Sequence, residues 1–600
     1  MAQVVYATTL RLPPQVHISA LPLAANMAGV GRALLAAMLA PAALKGAAGL
    51  HLQAAGDSAG CAALTNHGTH FTIDVDVGTP SQRFSVVADT GSNTLIVPSC
   101  QCQKAGKCDT TDRCFTGSNK SSSFHLEVGE RDEPVSMVLS YGSGDIQGVV
   151  VQEKVSVGGV DADLKDGLLL MVDRALKISG SFEGILGLGL PQAPTNWTAV
   201  EEQEKQQAAG AGGQSMEDVI KQIMGQAGAG GQSMEDMINQ IMGQAGASGP
   251  EGGAGAIPDQ NMRKALKAAV EQPKRVHRDS PTGFLEQAGI GRFSMCFNDG
   301  SDGVLRIGEP PLQQSHGGMG TEHWGVDFRG VSVGSHAAGD VLFCHGENMT
   351  EDQRSPCGAI PDSGTTLMMG PKEHIASLLE GICDGWDRCR ENFTKLEEAE
   401  AIASEAMVSH YGMNPFSMKG SMSKSDVVQL LLMDCGSWGE GGMDELPDLH
   451  FHIRGSDGSA QALKIPGHMY IMEVSGDEAE SSLKLLEGVG SVPADTNLAK
   501  SKKKVCTPMF GEMDYKTKSN GPVWILGTPI FYEYVIGYDM KTSPPAMSFT
   551  SQSEQPCGSC KGAPAVNLAM AKEATAHGAR RPRRVSGPPR VPAMDLSRPL

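Results

Sequence analysis

Phe71-Thr72-Ile73-Asp74-Val75-Asp76-Val77 alternates apolar and polar side chains, the pattern of a strand with one buried face. Gly78-Thr79-Pro80 supplies a turn, and the apolar stretch from Phe84 to Ala88 predicts the returning strand. Short Val, Ile and Leu runs cut by glycine recur along the chain, with few long stretches of helical period. That habit predicts an all-β body. One region breaks it. Residues 213–230 and 231–248 are near copies, in which Ser215 and Ser233 stand three residues before Asp218 and Asp236, a helix-start signature. Met216, Val219, Ile220, Ile223 and Met224 fall on one helical face. A helix of about ten residues is marginal alone in water. The Met-rich face fits a partner-binding site; the preferred reading is an expanded low-complexity insertion, tolerated because loop closure costs grow slowly with length.

Two segments carry candidate chemistry. Asp89-Thr90-Gly91-Ser92 follows Val86-Val87-Ala88, and Asp362-Ser363-Gly364-Thr365-Thr366 follows Ala359-Ile360-Pro361. An aspartate at the end of an apolar strand sits where a core opens to a cleft. The glycine permits a sharp turn, and the hydroxyls can hold a carboxylate by hydrogen bonds. One Asp-x-Gly alone is ordinary turn chemistry. Two such loops facing each other bring two carboxyls into one site, where like charges cannot both ionise and the pair shares a proton. An acid and a base side by side can activate water against an amide.

Further along lie Tyr141-Gly142-Ser143-Gly144, then Phe182-Glu183-Gly184-Ile185-Leu186-Gly187-Leu188-Gly189, and later Trp524-Ile525-Leu526-Gly527-Thr528-Pro529. With the two aspartate loops, and in this order, they resemble the pepsin-like aspartic proteases from about residue 67 to residue 550. The resemblance implies a bilobal all-β fold, with one lobe over 67–310, interrupted by an insertion at about 200–282, and a second over 311–551. It implies Asp89 and Asp362 as catalytic dyad, supported by Thr90, Gly91 and Ser92 and by Ser363, Gly364 and Thr365. Thr90 and Ser363 would brace the loops against each other, while Ser92 and Thr365 would bond the carboxylates. Ile185-Leu186-Gly187 and Ile525-Leu526-Gly527 would thread behind the loops, and Tyr141, Gly142, Ser143 and Gly144 would form a flap over substrate. One position departs: Ile96 stands where the family usually has a tryptophan that bonds the flap tyrosine. The implied activity is an endopeptidase, monomeric and without cofactor or metal, cleaving polypeptides between bulky apolar residues at acidic pH. One carboxyl of the pair would titrate low and the other high. A binding protein of the same fold that has lost catalysis is the alternative; both loops and Tyr141 being intact argues for the enzyme.

Composition narrows the setting. A length of 600 residues accommodates several domains. A net charge of −19 argues against nucleic acid or an anionic membrane as partner of the body. The 14 cysteines favour disulfides and an oxidising compartment. Local spacing groups Cys100, Cys102, Cys108 and Cys114, and sets Cys344 with Cys357, Cys383 with Cys389, and Cys557 with Cys560. The first cluster lacks the spacing of paired zinc knuckles. The resemblance implies a bridge after the first aspartate loop, another at Cys344–Cys357, and a third at Cys435–Cys506. Asn119, Asn196, Asn348 and Asn392 open glycosylation sequons. Residues 1–50 read as a leader, with Arg32 and the apolar run 33–40 fitting a signal peptide starting at Met27 ahead of the alternative, an Ala-rich surface helix. Residues 51–66 leave room for a short propeptide or linker without basic character. No later segment reads as a membrane span, and the expected location is the secretory pathway, either secreted or in an acidic compartment. Residues 552–600, with Arg580-Arg581-Pro582-Arg583-Arg584, read as a disordered, solvated basic tail.

Overall fold

A computed structural model describes residues 60–600 except 129–133, 142–143, 176–182, 192–281, 309–311, 335–339, 412–421, 434, 436–437, 439–441, 475–504, 561–581, 585–588 and 593–599. The expected leader and the 213–248 repeats lie outside the described residues.

Phe71, Ile73, Val75 and Val77 are buried while Asp74 faces solvent, as their alternation predicts. This strand runs antiparallel to Gln82–Asp89, with Val77 opposite Gln82 across the Gly78 turn. Ile185–Gly187 lies parallel to Gln82–Asp89, with Asp89 opposite Gly187. Leu95–Pro98 returns antiparallel on the other edge of Ile185–Gly187. The second half repeats this arrangement. Cys357–Pro361 runs parallel to Gly521–Leu526, with Pro361 opposite Leu526, and Met369 of the Met368–Gly370 strand sits opposite Ile525. Each aspartate therefore lies at the end of a buried strand beside a parallel neighbour that closes on a glycine, Gly187 within the strand and Gly527 just after it. At Gly187 a Cβ would meet the Thr94 amide, and at Gly527 it would meet the carbonyls of Thr365 and Leu367. Both positions need glycine because backbone passes too close for a side chain.

Among the described residues the strands assemble into sheets of 14, 8 and 3 strands. The largest brings early and late strands together: Gly60–Asn66 pairs with Ser301–Ile307, that strand with Arg292–Asn298, and Arg292–Asn298 antiparallel with Tyr534–Asp539. Aromatic packing follows the same join: Phe71 stacks on Phe297 at 3.7 Å between ring centroids, and Phe297 on Phe531 at 5.1 Å. Trp324, in the second half, donates its indole N–H to the Leu188 carbonyl at 3.0 Å. Among the described residues the three longest helices, Lys372–Gly385, Asp387–Tyr411 and Lys424–Leu432, interrupt the all-β pattern. The first buries Ile375, Leu378, Leu379 and Ile382 at helical spacing. The third opens on a capping box between Ser423 and Asp426. No helix among the described residues is long and apolar enough to cross a membrane.

All 14 cysteines are paired. Cys344–Cys357, Cys383–Cys389 and Cys435–Cys506 form as expected, and the cluster resolves into Cys100–Cys114 and Cys102–Cys108. The local Cys557–Cys560 pairing does not form. Cys557 bonds Cys296 and Cys560 bonds Cys61, across sequence separations of 261 and 499. The reason is where the chain runs after its last long strand. Gln552 donates to the Phe297 carbonyl at 2.9 Å, and Asn298 donates to the Gly558 carbonyl at 3.0 Å. That course lays the segment along neighbouring strands, each of which presents its own cysteine. Residues 552–560 thus belong to the body rather than to a solvated tail, and Arg583–Arg584 adds a parallel strand beside Ile471–Val474.

A peptide map without reduction is expected to link Cys61 with Cys560 and Cys296 with Cys557. Replacing Cys296 and Cys557 together by alanine should cost roughly 2–4 kcal/mol in a denaturant titration. A Cys557–Cys560 peptide in natively produced protein would contradict this connectivity.

Candidate functional site

The two aspartate loops meet through their inner hydroxyl residues. The Thr90 amide donates to Ser363 Oγ at 3.0 Å, and the Ser363 amide donates to Thr90 Oγ1 at 3.0 Å. Each hydroxyl then donates across the join, Thr90 Oγ1 to the Pro361 carbonyl at 2.9 Å and Ser363 Oγ to the Ala88 carbonyl at 2.8 Å. All four bonds are buried. In such surroundings an unmade bond leaves a desolvated polar group, costing about 1–3 kcal/mol.

This join puts the Asp89 and Asp362 carboxyls side by side in matching environments. Asp89 Oδ1 accepts from the Gly91 amide at 2.9 Å, and its Oδ2 from Ser92 Oγ at 2.5 Å. Asp362 Oδ1 accepts from the Gly364 amide at 2.9 Å, and its Oδ2 from Thr365 Oγ1 at 2.5 Å. A Cβ on Gly364 would run into Asp89 Oδ1, so the loop glycine sets how closely the carboxyls approach. Behind the loops, Thr528 donates its amide to the Thr365 carbonyl at 2.8 Å and its hydroxyl to the Thr366 carbonyl at 2.9 Å.

Both aspartates are 0% exposed, and burial pushes both carboxyls above the ordinary range. Asp89 is raised furthest, first by desolvation and then by the Asp362 charge. Hydrogen bonds from Thr365, Asp89 and the Gly364 amide restrain the rise at Asp362. The hydrogen bond between the two carboxyls favours the neutral form of Asp89 and the ionised form of Asp362. The two carboxyls therefore titrate together, as one pair sharing a proton. The sequence predicts one carboxyl low and one high; the structure lifts both, because desolvation exceeds what the hydroxyls and amides return.

The remaining predicted residues are placed unevenly. Backbone pairing sets Tyr141 opposite Gly144 at the end of a hairpin, while Gly142, Ser143 and the Tyr141 side chain lie outside the described residues. Ile96 is fully buried in an apolar cluster against which Met137 and Leu139, on the strand leading to Tyr141, are packed. Asn119 and Asn392 are exposed, Asn348 lies in the short turn Gly346–Asn348, and Asn196 falls outside the described residues. Cys344 and Cys357 come near His374 in metal-ligand fashion, but their sulfurs are bonded to each other. Residue-type patterns gave no sign of Trp324 bridging to Leu188, nor of Arg590, whose amide donates to Thr366 Oγ1 at 2.7 Å.

Residues 70–207 match the family model described as eukaryotic aspartyl protease. That span contains Asp89 and Tyr141 but not Asp362. The chain is 34% identical over 138 residues to a renin of Canis lupus familiaris, covering 23% of this chain and 32% of the relative. It is 36% identical over 138 residues to an aspartic proteinase of Oryza sativa subsp. japonica, covering 22% and 26%. To Napsin-A of Mus musculus it is 34% identical over 124 residues, covering 20% and 28%. The chain thus matches about a third or less of the length of these curated relatives.

Raised carboxyls make stability depend on pH. A group whose folded pKa lies above its unfolded value binds more protons folded than unfolded between the two. Its contribution is full below the unfolded value, about pH 4, and is lost as pH rises toward the folded value. Asp89→Asn, which cannot ionise, should flatten this decline, so that its Tm falls less than that of the parent between about pH 4 and pH 7. Calorimetry at the two pH values checks this, and equal slopes would remove Asp89 as the responsible group.

Proposed function

We propose that the chain is an aspartic endopeptidase of the pepsin-like family whose catalytic pair is Asp89 and Asp362; the match of residues 70–207 to the eukaryotic aspartyl protease model supports the family. The observation that carries this reading is the pair of buried carboxyls held together by reciprocal Thr90 and Ser363 hydrogen bonds. A water between the two carboxyls gives a proton to ionised Asp362 as its oxygen attacks the scissile carbonyl carbon. Protonated Asp89 donates a hydrogen bond to the oxygen that becomes negative. Collapse of the tetrahedral intermediate breaks the C–N bond, and the proton taken by Asp362 passes to the leaving amine. Neither carboxyl can fill both roles, which is why the site needs two.

The cleft lies between two lobes, one for each aspartate loop, and the Ser136–Tyr141 and Gly144–Val157 hairpin serves as the flap. Ile96 replaces a hydrogen-bonding tryptophan with apolar contact, so the flap is steadied through the packing of Met137 and Leu139. Substrates are polypeptides presenting bulky apolar side chains at the cleaved bond. Seven disulfides support maturation in an oxidising compartment of the secretory pathway.

Asp89→Asn and Asp362→Asn should each lower kcat/KM on an apolar peptide by about 10²–10⁴-fold or more, with the circular dichroism spectrum unchanged. Substantial turnover by either folded variant would overturn the assignment, and a parent chain that binds such peptides without cleaving them would point to a binding protein. The parent should show a bell-shaped pH profile on the acidic side of neutrality, since turnover needs one carboxyl ionised and the other protonated. Ile96→Trp should lower KM more than it moves this optimum; an optimum above neutrality would show that the pair is solvated differently.

A further inference from the structure

Residues 561–600 carry eight Lys and Arg against two Asp and Glu, in a chain whose net charge is −19. Two described parts of this basic segment pack against the body, and one of them reaches the second aspartate loop. Arg583 is 5% exposed, with its guanidinium 3.6 Å from the centre of the Tyr532 ring and an N–H directed to the Gly68 carbonyl at 3.4 Å. A cation so placed keeps its charge through the ring face and backbone dipoles. Arg590 comes closer still. Its amide donates to Thr366 Oγ1 at 2.7 Å, and its carbonyl accepts from the Thr366 amide at 2.9 Å. Thr366 closes the second aspartate loop, so these bonds attach the segment directly beside Asp362. The Arg590 guanidinium reaches His70 Nε2 at 3.3 Å. Pro589 and Pro592 on either side are buried.

We propose that Pro582–Arg584 and Pro589–Pro592 form an intramolecular ligand of the catalytic cleft, with Arg590 set beside the dyad, and that this segment must leave before a polypeptide substrate enters. The inference rests on the protease reading of the site. Two effects act together. The segment takes up backbone hydrogen-bonding capacity at Thr366 that an incoming extended chain would use. Its guanidinium also interacts with the Asp89 charge, while burial draws it down to about 10. A cation near a carboxyl opposes its protonation, so departure of the segment leaves the pair readier to hold the proton of its acid role. Tethering holds the segment at an effective concentration of roughly millimolar, so a weak fit suffices to keep the cleft filled. By the same contacts the cleft takes a basic, proline-flanked peptide supplied in trans.

The test uses the full chain carrying a sequence-specific cleavage site within residues 561–581, folded first and then cut. Turnover of an apolar reporter peptide is compared before and after cutting, and a synthetic peptide of residues 582–592 is then added at up to about 1 mM. Cutting followed by gel filtration should raise kcat/KM by about tenfold or more, and the added peptide should raise KM with kcat unchanged. Arg590→Glu in the uncut chain should raise turnover as well, because it replaces the segment's cation with an anion. A peptide bearing Arg590→Ala should compete about tenfold more weakly. Binding of the labelled 582–592 peptide to the cut protein is measured separately by fluorescence polarisation. If the peptide binds and turnover is absent in both forms, the cleft-ligand inference stands and the protease reading fails. If turnover is present and unchanged by cutting, by Arg590→Glu and by the peptide, the inference is overturned while the protease reading stands.

Discussion

Four buried hydrogen bonds between Thr90 and Ser363 and the strand ends beside them are the constraint on which the rest of the site depends. They tie two loops separated by more than two hundred residues, and each is made only if both loops adopt the same shape. That condition explains the parallel strand behind each aspartate and the paired close approaches at Gly187 and Gly527. Displacing one strand would orphan polar groups in both halves at once. The carboxyls inherit their geometry from this join rather than from any contact of their own.

The electrostatics follow from the same burial. Amides of Gly91 and Gly364 and hydroxyls of Ser92 and Thr365 point donors at the carboxyls, yet both still lie above their ordinary range. The near symmetry of the donors does not make the aspartates equivalent. The two titrate as one coupled pair, and a charge placed nearby bears on the proton they share. Arg590, whose interaction with the Asp89 charge offsets part of its own desolvation, links a distant basic segment to the pair.

Much of this was legible in the sequence, and the reasons for what was not are specific. The Phe71–Val77 alternation and the two Asp-(Thr/Ser)-Gly segments are local patterns whose physics is complete within a few residues. The helix at Lys372–Gly385 also has a local signal, in Ile375, Leu378, Leu379 and Ile382, outweighed in a reading dominated by short glycine-cut runs. Cys557 and Cys560 look like partners because they are close in sequence, whereas pairing answers to which strand each one faces. The basic segment near residue 583 has a composition suited to solvent. Composition is blind to an acidic site and a tyrosine face elsewhere in the chain that can hold an arginine. Trp324 bonding to Leu188 is likewise a product of how the two halves pack, with no trace in local spacing.

The Cys61–Cys560 bridge has a consequence for synthesis. Its two thiols leave the ribosome about half a minute or more apart at ordinary elongation rates of roughly 5–20 residues per second. The Arg292–Asn298 strand likewise waits for Tyr534–Asp539 before the edge between them is covered. Throughout that interval the early strands stand half assembled, with an open edge and an unpaired sulfur. A nascent chain of this design keeps that edge and that sulfur exposed until its last partner is made.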